Sequence, residues 1–214
     1  MNYYIADLHF GCTNKFENRT LEHDQLIIDN WNRVVTNADT VYILGDIGKL
    51  GGNQNIEYVC KCISVLKGKK VLVLGNHDKN LKDVRLRQLF VEVCDYKEVV
   101  DNYNGLNHNL ALSHYPIFIW NHQHKGNWIH LYGHVHASKE WDVYKNCLNH
   151  LNDYFKGQTL LGRTDCPEVE AHNVGCMLDY MNYTPRTLKE IISSDRGHTY
   201  VWYIWCNNRS LFRR

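Results

Sequence analysis

The sequence predicts an α/β protein in which short buried strands alternate with amphipathic helices. Three apolar runs, at 3–6, 41–44 and 71–74, have the length of strands, and a glycine ends each of the last two. Between these runs, residues 21–37 and 53–67 repeat apolar side chains at helical spacing. Such alternation is typical of a sheet with parallel strands and flanking helices.

The second half of the chain follows a different pattern. Strands are predicted at 96–100, 109–113 and 129–132, and Asn104-Gly105 indicates a hairpin whose loop is longer than two residues. The other predicted elements are helices at 80–90, at 138–155 and from Pro185 to Ile192, a loop at 156–168, a closing strand from Val174 to Leu178, and a strand-like segment at 200–205. We expect one domain over residues 1–214, with a helical insertion at about 138–170.

Composition and charge narrow the class of protein. The chain has 214 residues, of which 44% are hydrophobic and 22% charged, as in ordinary globular domains. Its net charge of +1 argues against a protein that coats nucleic acid. No apolar stretch approaches the roughly 20 residues of a membrane span, and the first residues do not resemble a signal peptide. We therefore expect a cytoplasmic protein whose eight cysteines are reduced.

Polar residues follow five of the apolar runs. The blocks are Asp7-Leu8-His9, Gly45-Asp46, Gly75-Asn76-His77-Asp78, Ser113-His114 and Gly133-His134-Val135-His136. Ligand sites form where the loops at strand ends converge, so we expect these blocks to meet. On a continuing strand, Asp7 and His9 would point the same way, and so would His134 and His136.

The mixture of carboxylate and imidazole groups indicates a metal site. These ligand types suit manganese, iron or zinc. Seven candidate ligands exceed the four that one tetrahedral ion needs, whereas two ions that share a bridging carboxylate would use them all. The seven are Asp7, His9, Asp46, Asn76, His114, His134 and His136.

The ordered series DLHFG, GDIG, GNHD, SHYP and GHVH closely resembles the calcineurin-like metallophosphoesterase superfamily. The segment Asn173-Val174-Gly175 is also similar to small bacterial and phage members. The resemblance implies a four-layer α/β/β/α sandwich, with two mixed sheets flanked by helices. It also implies hydrolysis of phosphate esters by two divalent ions, with manganese preferred and iron, zinc, nickel or magnesium as alternatives.

The resemblance assigns roles to the blocks. It implies that Asp46 bridges both ions, and that a hydroxide held between them attacks phosphorus. His77 would protonate the leaving oxygen or bind the phosphate, and Asp78 would orient the His77 imidazole. The first ion would be bound by Asp7, His9 and His136, and the second by Asn76, His114 and His134.

Four residues outside the blocks are candidates for substrate contact. Many small members of the superfamily have histidine where this chain has Cys12, and an arginine near the position of Arg19. Tyr115 and Trp120 follow His114 and offer rings for stacking on a base or aryl group; packing of the loop is the alternative role for both, and the one we favour.

Three functions are compatible with these features. The first is a phosphodiesterase or phosphomonoesterase for a small soluble ester, plausibly nucleotide-derived. The second is a metal-dependent nuclease, which the neutral charge disfavours. The third is a non-catalytic binding protein that keeps the fold. We expect a small phosphate ester as partner, no stable nucleic-acid or membrane partner, and leave open a homo-oligomer.

Overall fold

The computed structural model describes residues 1–13, 20–78, 81–160 and 167–194, and these contain two four-stranded sheets. In the first sheet all neighbours pair in parallel, in the order β1 (Asn2–Ile5), β2 (Thr40–Leu44), β3 (Lys69–Val73) and β4 (Glu92–Cys94). The second sheet is mixed, in the order β5 (Lys97–Tyr103), β6 (Leu106–Leu112), β7 (Trp128–Tyr132) and β8 (Glu170–Asn173). Only the β5–β6 pair is antiparallel in that sheet.

Helices flank the sheets. The first two follow β1 and β2, a short third helix precedes β4, and the longest lies between β7 and β8; they are α1 (Leu21–Val34), α2 (Asn53–Ser64), α3 (Val84–Arg87) and α4 (Lys139–Leu160). A further helical segment covers 188–194, and a 3₁₀ turn covers Asn76–Asp78. Among the residues described, no helix combines the length and apolarity needed to cross a bilayer.

The first sheet is buried on both faces, which explains why its strands are nearly continuous apolar runs. Ile27 and Trp31 of α1 and Ile63 of α2 belong to the same buried cluster as its side chains. On the other face, the Tyr4 ring stacks on Tyr42 at 5.4 Å. The Tyr4 hydroxyl donates a hydrogen bond to Asp101 Oδ2 of β5 at 2.6 Å, so this face meets the second sheet.

The second sheet divides its side chains between two cores because successive residues of a strand point to opposite faces. Leu110 and Leu112 of β6 pack with the first sheet, whereas Ala111 belongs to a second cluster that contains residues of α4. In that second cluster the rings of Tyr132 and Tyr144 are 5.0 Å apart. Helix α4 therefore covers the outer face of the second sheet.

The predicted strands at 3–6, 41–44, 71–74 and 129–132 are confirmed within a few residues. The hairpin is confirmed, but the prediction of a longer loop was wrong. Asn104 and Gly105 alone connect β5 to β6, with φ of 52° and 79°, as two-residue turns of the mirror-image type require. The strand ends next to this turn are polar, so the apolar pattern missed them.

Other boundaries also differ. The closing strand is Glu170–Asn173, not Val174 to Leu178, because within 174–178 a single isolated bridge, from Gly175 to Ala6, is followed by a turn. The helix predicted at 80–90 is only four residues long, and β4 after it was missed. Helix α4 continues to Leu160, into the predicted loop. The strand-like segment predicted at 200–205 lies outside the described residues. Two mixed sheets were expected, but of the two sheets described only the second is mixed.

His130 on β7 is a buried titratable group in the second core. Its side chain is inaccessible to solvent, and its ring lies 5.0 Å from the ring of Trp120. Nδ1 donates to the Ala111 carbonyl at 2.9 Å, so the neutral ring accepts at Nε2 from the Ile117 N–H at 3.3 Å. Burial lowers the pKa of His130 to about 4.

This lowered pKa predicts acid-dependent stability. Below pH 6.5 the unfolded chain binds a proton at this imidazole more readily than the folded chain does, so stability falls as pH falls towards 4. We expect His130 to contribute about 2 kcal/mol to the loss of unfolding free energy between pH 7 and pH 5. Urea unfolding of wild type and His130→Gln measures the difference, and equal pH slopes in the two proteins would contradict it.

Candidate metal centre

The five polar blocks meet at the carboxyl ends of strands from both sheets. Their residues follow β1, β2, β3, β6 and β7. Within each of two groups of side chains, the candidate ligand atoms lie within 4.8 Å of one another. One group is Asp7, His9 and His136, and the other is Asp46, His114 and His134. Each group could hold a metal ion.

The first group combines a buried carboxylate with two imidazoles. Nε2 of His9 and Nε2 of His136 are 3.3 Å apart. Asp7 is 1% exposed, and its two carboxylate oxygens each accept the backbone N–H of His134 at 3.1 Å. This contact joins the loop after β1 to the loop after β7.

The second group includes an amide oxygen as well as imidazoles. Nδ1 of the buried His114 donates to the Leu44 carbonyl at 2.8 Å, so the neutral ring has its lone pair on Nε2. That nitrogen is 2.9 Å from Oδ1 of Asn76, which is another acceptor. Two lone pairs that converge on one region fit a cation, and Asn76 therefore joins this group.

Asp46 lies between the two groups. Its Oδ2 is 3.5 Å from Nε2 of His114 and 3.9 Å from Nε2 of His9. Its Oδ1 accepts the backbone N–H of His77 at 2.9 Å, which fixes the plane of the carboxylate. The side chain is 2% exposed. A carboxylate oxygen in this position can face two cations at once.

Five of the seven candidate ligands have left-handed backbone conformations. The φ angles are 59° at Asp7, 47° at His9, 56° at Asp46, 70° at His134 and 47° at His136. Non-glycine residues adopt this region rarely and at a cost of about 1–3 kcal/mol each, and such residues cluster at functional sites. The strain indicates that the surrounding structure holds these side chains in place.

These conformations overturn the idea of continuing strands. Strand β1 ends at Ile5, before Asp7, so a left-handed turn at each residue, and not a strand period, brings Asp7 and His9 together. His134 and His136 belong to different groups, contrary to the expectation that both point the same way. These turns could not be predicted from the sequence, because aspartate and histidine in left-handed conformations require tertiary support.

Asp78 has a different position from the one predicted. Its buried carboxylate accepts the backbone N–H groups of Asp46 at 2.7 Å, Ile47 at 3.0 Å and Gly75 at 2.8 Å. Among the described residues it makes no hydrogen bond to the His77 imidazole, so the predicted orienting role was wrong. Burial raises the pKa of Asp78, and the three donors act against that shift. Asp78 instead holds the loop that carries Asp46.

His77 is the most accessible member of the blocks. Its side chain is 60% exposed, and its Nε2 is 4.0 Å from Oδ2 of Asp46. The ring of His9 approaches it edge-on, with ring centres 5.6 Å apart. The imidazole therefore stands at the border between the ligand groups and solvent, where it can contact a bound molecule.

The end of β8 and the turn that follows it make hydrogen bonds to the loops that carry the candidate ligands. Asn173 is fully buried; its amide donates to the His136 carbonyl at 3.1 Å, and its Oδ1 accepts from Gly175. The Cys176 thiol donates to the Asp7 carbonyl at 3.0 Å. The resemblance pointed to Asn173, whereas nothing in the sequence indicated Cys176.

Burial also acts on His134. Burial lowers the pKa of this imidazole, and the neighbouring His114 adds to the effect. A neutral imidazole is the form that binds a metal. The ring of Tyr115 packs edge-on against His134, with centres 4.5 Å apart, and Tyr115 is 46% exposed, so this substrate candidate is beside the centre.

The other substrate candidates have different outcomes. Cys12 lines a cavity next to His77. Trp120 is 5% exposed and packs in the core beneath α4, so its alternative role in packing is the one that the structure supports. Arg19 lies outside the described residues. Lys49, which was not predicted as a site residue, also lines the cavity.

Comparison with known proteins identifies relatives. The chain is 30% identical over 157 residues to the gene 66 protein of Mycobacterium phage D29, covering 63% of this chain and 78% of that protein. It is 31% identical over 158 residues to the uncharacterized protein MJ1445 of Methanocaldococcus jannaschii, covering 71% and 72%. No protein-family model matches.

A protein of solved structure shares the fold. The protein of unknown function AQ665 from Aquifex aeolicus aligns with a TM-score of 0.58 and 27% identity, over 86% of this chain and 94% of that one. YfcE, a phosphoesterase from E. coli, aligns with a TM-score of 0.38 and 18% identity, over 63% and 69%. The second likeness is too distant to carry an argument about activity.

The position of Asp78 generates a prediction about metal affinity. In Asp78→Asn, an NH₂ group replaces one acceptor and faces a backbone N–H, so we expect a loss of about 2 kcal/mol in unfolding free energy. Mn²⁺ affinity should fall as well, although every candidate ligand remains. Urea unfolding and calorimetric Mn²⁺ titration measure the two effects.

The exposed Asp29 on α1 provides the matched control. Asp29→Asn should change stability by less than about 0.5 kcal/mol and leave Mn²⁺ binding as it is. If Asp78→Asn lost stability but bound Mn²⁺ with wild-type affinity, its proposed effect on the Asp46 loop would be wrong.

Proposed function

The chain belongs to the family of the phage D29 gene 66 protein and MJ1445, and we propose that it is a phosphoester hydrolase that depends on two divalent metal ions. The observation that carries the proposal is the position of Asp46 Oδ2, which faces His114 of one group and His9 of the other. The five sequence blocks that resemble metallophosphoesterases support the same conclusion, as do two four-stranded sheets flanked by helices, for which we propose a four-layer arrangement.

The residues divide between two ions in this proposal. Asp46 would be shared. Asp7, His9 and His136 would hold the first ion, and Asn76, His114 and His134 would hold the second. When bound, such ions lower the pKa of water and neutralise charge on phosphoryl oxygens. Manganese is the first metal to test, because imidazole and carboxylate ligands together suit it.

The protein's own groups position the substrate and move the proton. In the hydrolysis, a water oxygen forms a bond to phosphorus and releases one proton to solvent, and the bond from phosphorus to the leaving oxygen breaks. His77 Nε2, which is exposed and 4.0 Å from Asp46 Oδ2, donates the proton that the leaving oxygen gains. Asp78 holds the backbone of Asp46 and of Gly75 in place by accepting their N–H groups. Tyr115 packs against His134 at the other side of the centre.

An activity screen tests the proposal. Purified protein loaded with Mn²⁺ is assayed against phosphomonoesters, phosphodiesters, cyclic nucleotides and single-stranded DNA and RNA. We expect hydrolysis of at least one small ester, and loss of it with EDTA. Cleavage of the nucleic acids alone would indicate a nuclease, and no cleavage of any compound by protein that contains two ions would refute the proposed activity.

Two variants should separate metal binding from proton transfer. Asp46→Asn should lose both activity and bound metal, because the shared ligand is weakened. His77→Gln should keep two ions per chain but lose about 100-fold or more in kcat, since a general acid contributes at least that much. Metal content by plasma mass spectrometry and initial rates check both results.

The exposed His150 on α4 supplies the control for the imidazole change. His150→Gln should match wild type in both measurements. Loss of metal in His77→Gln would show that this residue is a ligand and would contradict its role as proton donor.

A further inference from the structure

A cavity of about 560 Å³ opens beside His77 at the carboxyl edge of the first sheet. Its walls come from the loops after β1, β2 and β3, and include Cys12, Thr13, Lys49, Leu50, Asn76 and His77. The volume is within the range of about 300–1,000 Å³ that is typical of pockets for small molecules. The cavity therefore has room for a substrate group next to the candidate metal centre.

The lining of this cavity has a definite chemical character. The described residues that line it include no carboxylate, and their one aromatic ring is the His77 imidazole. Lys49 is exposed and contributes a positive charge, while Thr13 and Asn76 are polar. Pockets for nucleobases use aromatic rings as stacking platforms, and the described part of this wall contains no Phe, Tyr or Trp for that purpose. It suits an aliphatic group that carries negative charge.

The position of His77 assigns the cavity to one part of the substrate. In the proposed hydrolysis His77 gives its proton to the leaving oxygen, so the leaving group lies on the His77 side. Tyr115 packs against His134, in the other half of the centre, and does not line this cavity. The group that leaves with the His77 proton is thus the group that enters the cavity.

We propose that this cavity binds the leaving group and selects a small aliphatic alcohol with its own anionic group, a carboxylate or a second phosphate, which pairs with Lys49. The inference rests on the proposed function. The bond from phosphorus to the alcohol oxygen breaks, that oxygen takes the His77 proton, and water supplies the new oxygen on phosphorus. Lys49 exchanges no proton, and the anionic group is unchanged.

A matched series of esters tests this selectivity. Glycerol 3-phosphate, 3-phosphoglycerate, glycerol 1,3-bisphosphate and adenosine 5′-monophosphate are all monoesters of primary alcohols, so the intrinsic chemistry is similar. We expect the two esters with charged leaving groups to have the highest kcat/KM. Comparison of 3-phosphoglycerate with glycerol 1,3-bisphosphate shows whether a carboxylate or a second phosphate is the preferred anionic group.

Charge removal at Lys49 supplies the decisive comparison. In Lys49→Met, the ratio of kcat/KM for 3-phosphoglycerate to that for glycerol 3-phosphate should fall about threefold to tenfold, mainly through KM, because the pair is partly solvent-exposed. Lys49→Arg should restore most of the ratio. Lys61→Met, which removes an exposed lysine of α2 outside the cavity, should leave the ratio unchanged.

Thiol protection measures occupancy without turnover. In Mn²⁺-loaded His77→Gln, 3-phosphoglycerate should slow the alkylation of Cys12 by iodoacetamide, as followed by peptide mass spectrometry. The exposed Cys147 on α4 serves as the internal control and should react at an unchanged rate. Lys49→Met in the same background should abolish the protection.

The outcomes separate the two proposals. An unchanged selectivity ratio in Lys49→Met, or a preference for adenosine 5′-monophosphate, would overturn the assignment of the cavity while leaving the hydrolase intact. Protection of Cys12 with no hydrolysis of any phosphate ester would support the cavity and refute the proposed function. Absence of both selectivity and protection would overturn the inference.

Discussion

The buried carboxylate of Asp46 is the constraint on which the rest of the centre depends. A charged group without solvent is costly unless neighbouring groups compensate it. One oxygen of Asp46 accepts the His77 N–H, and the other faces imidazoles from two separate groups. Among the described residues no backbone N–H donates to this second oxygen, whereas the Asp78 carboxylate accepts three. In the proposed function a pair of divalent cations would supply the missing compensation between the imidazoles of the two groups.

The architecture delivers these groups to one place. The strands of both sheets end at the same edge, and the contact between Tyr4 and Asp101 ties the sheets together below it. Above the strands, the backbone joins the loops: the His134 N–H reaches the Asp7 carboxylate, and the His9 N–H donates to the Asp46 carbonyl at 2.9 Å. The strained left-handed residues are held by these cross-links, so the centre is positioned by the fold before any ion binds.

The sequence was sufficient to predict the strands that end at the centre, because buried parallel strands are apolar runs and their ends are marked by glycine and polar residues. It also predicted which polar residues would meet. It did not predict that Asp78 would hold the Asp46 loop, since a carboxylate beside His77 in sequence gives no information about the N–H groups of Asp46 and Ile47 in the loop after β2. The separation of His134 from His136 was likewise hidden, because it depends on left-handed turns and not on a strand period.

The most direct test of the central claim is anomalous X-ray diffraction from crystals grown with Mn²⁺. We expect two anomalous peaks per chain, about 3.5–4 Å apart, with Asp46 Oδ2 in contact with both ions. His9 should contact one ion and His114 the other. A single peak, or two ions of which only one touches Asp46, would contradict the account.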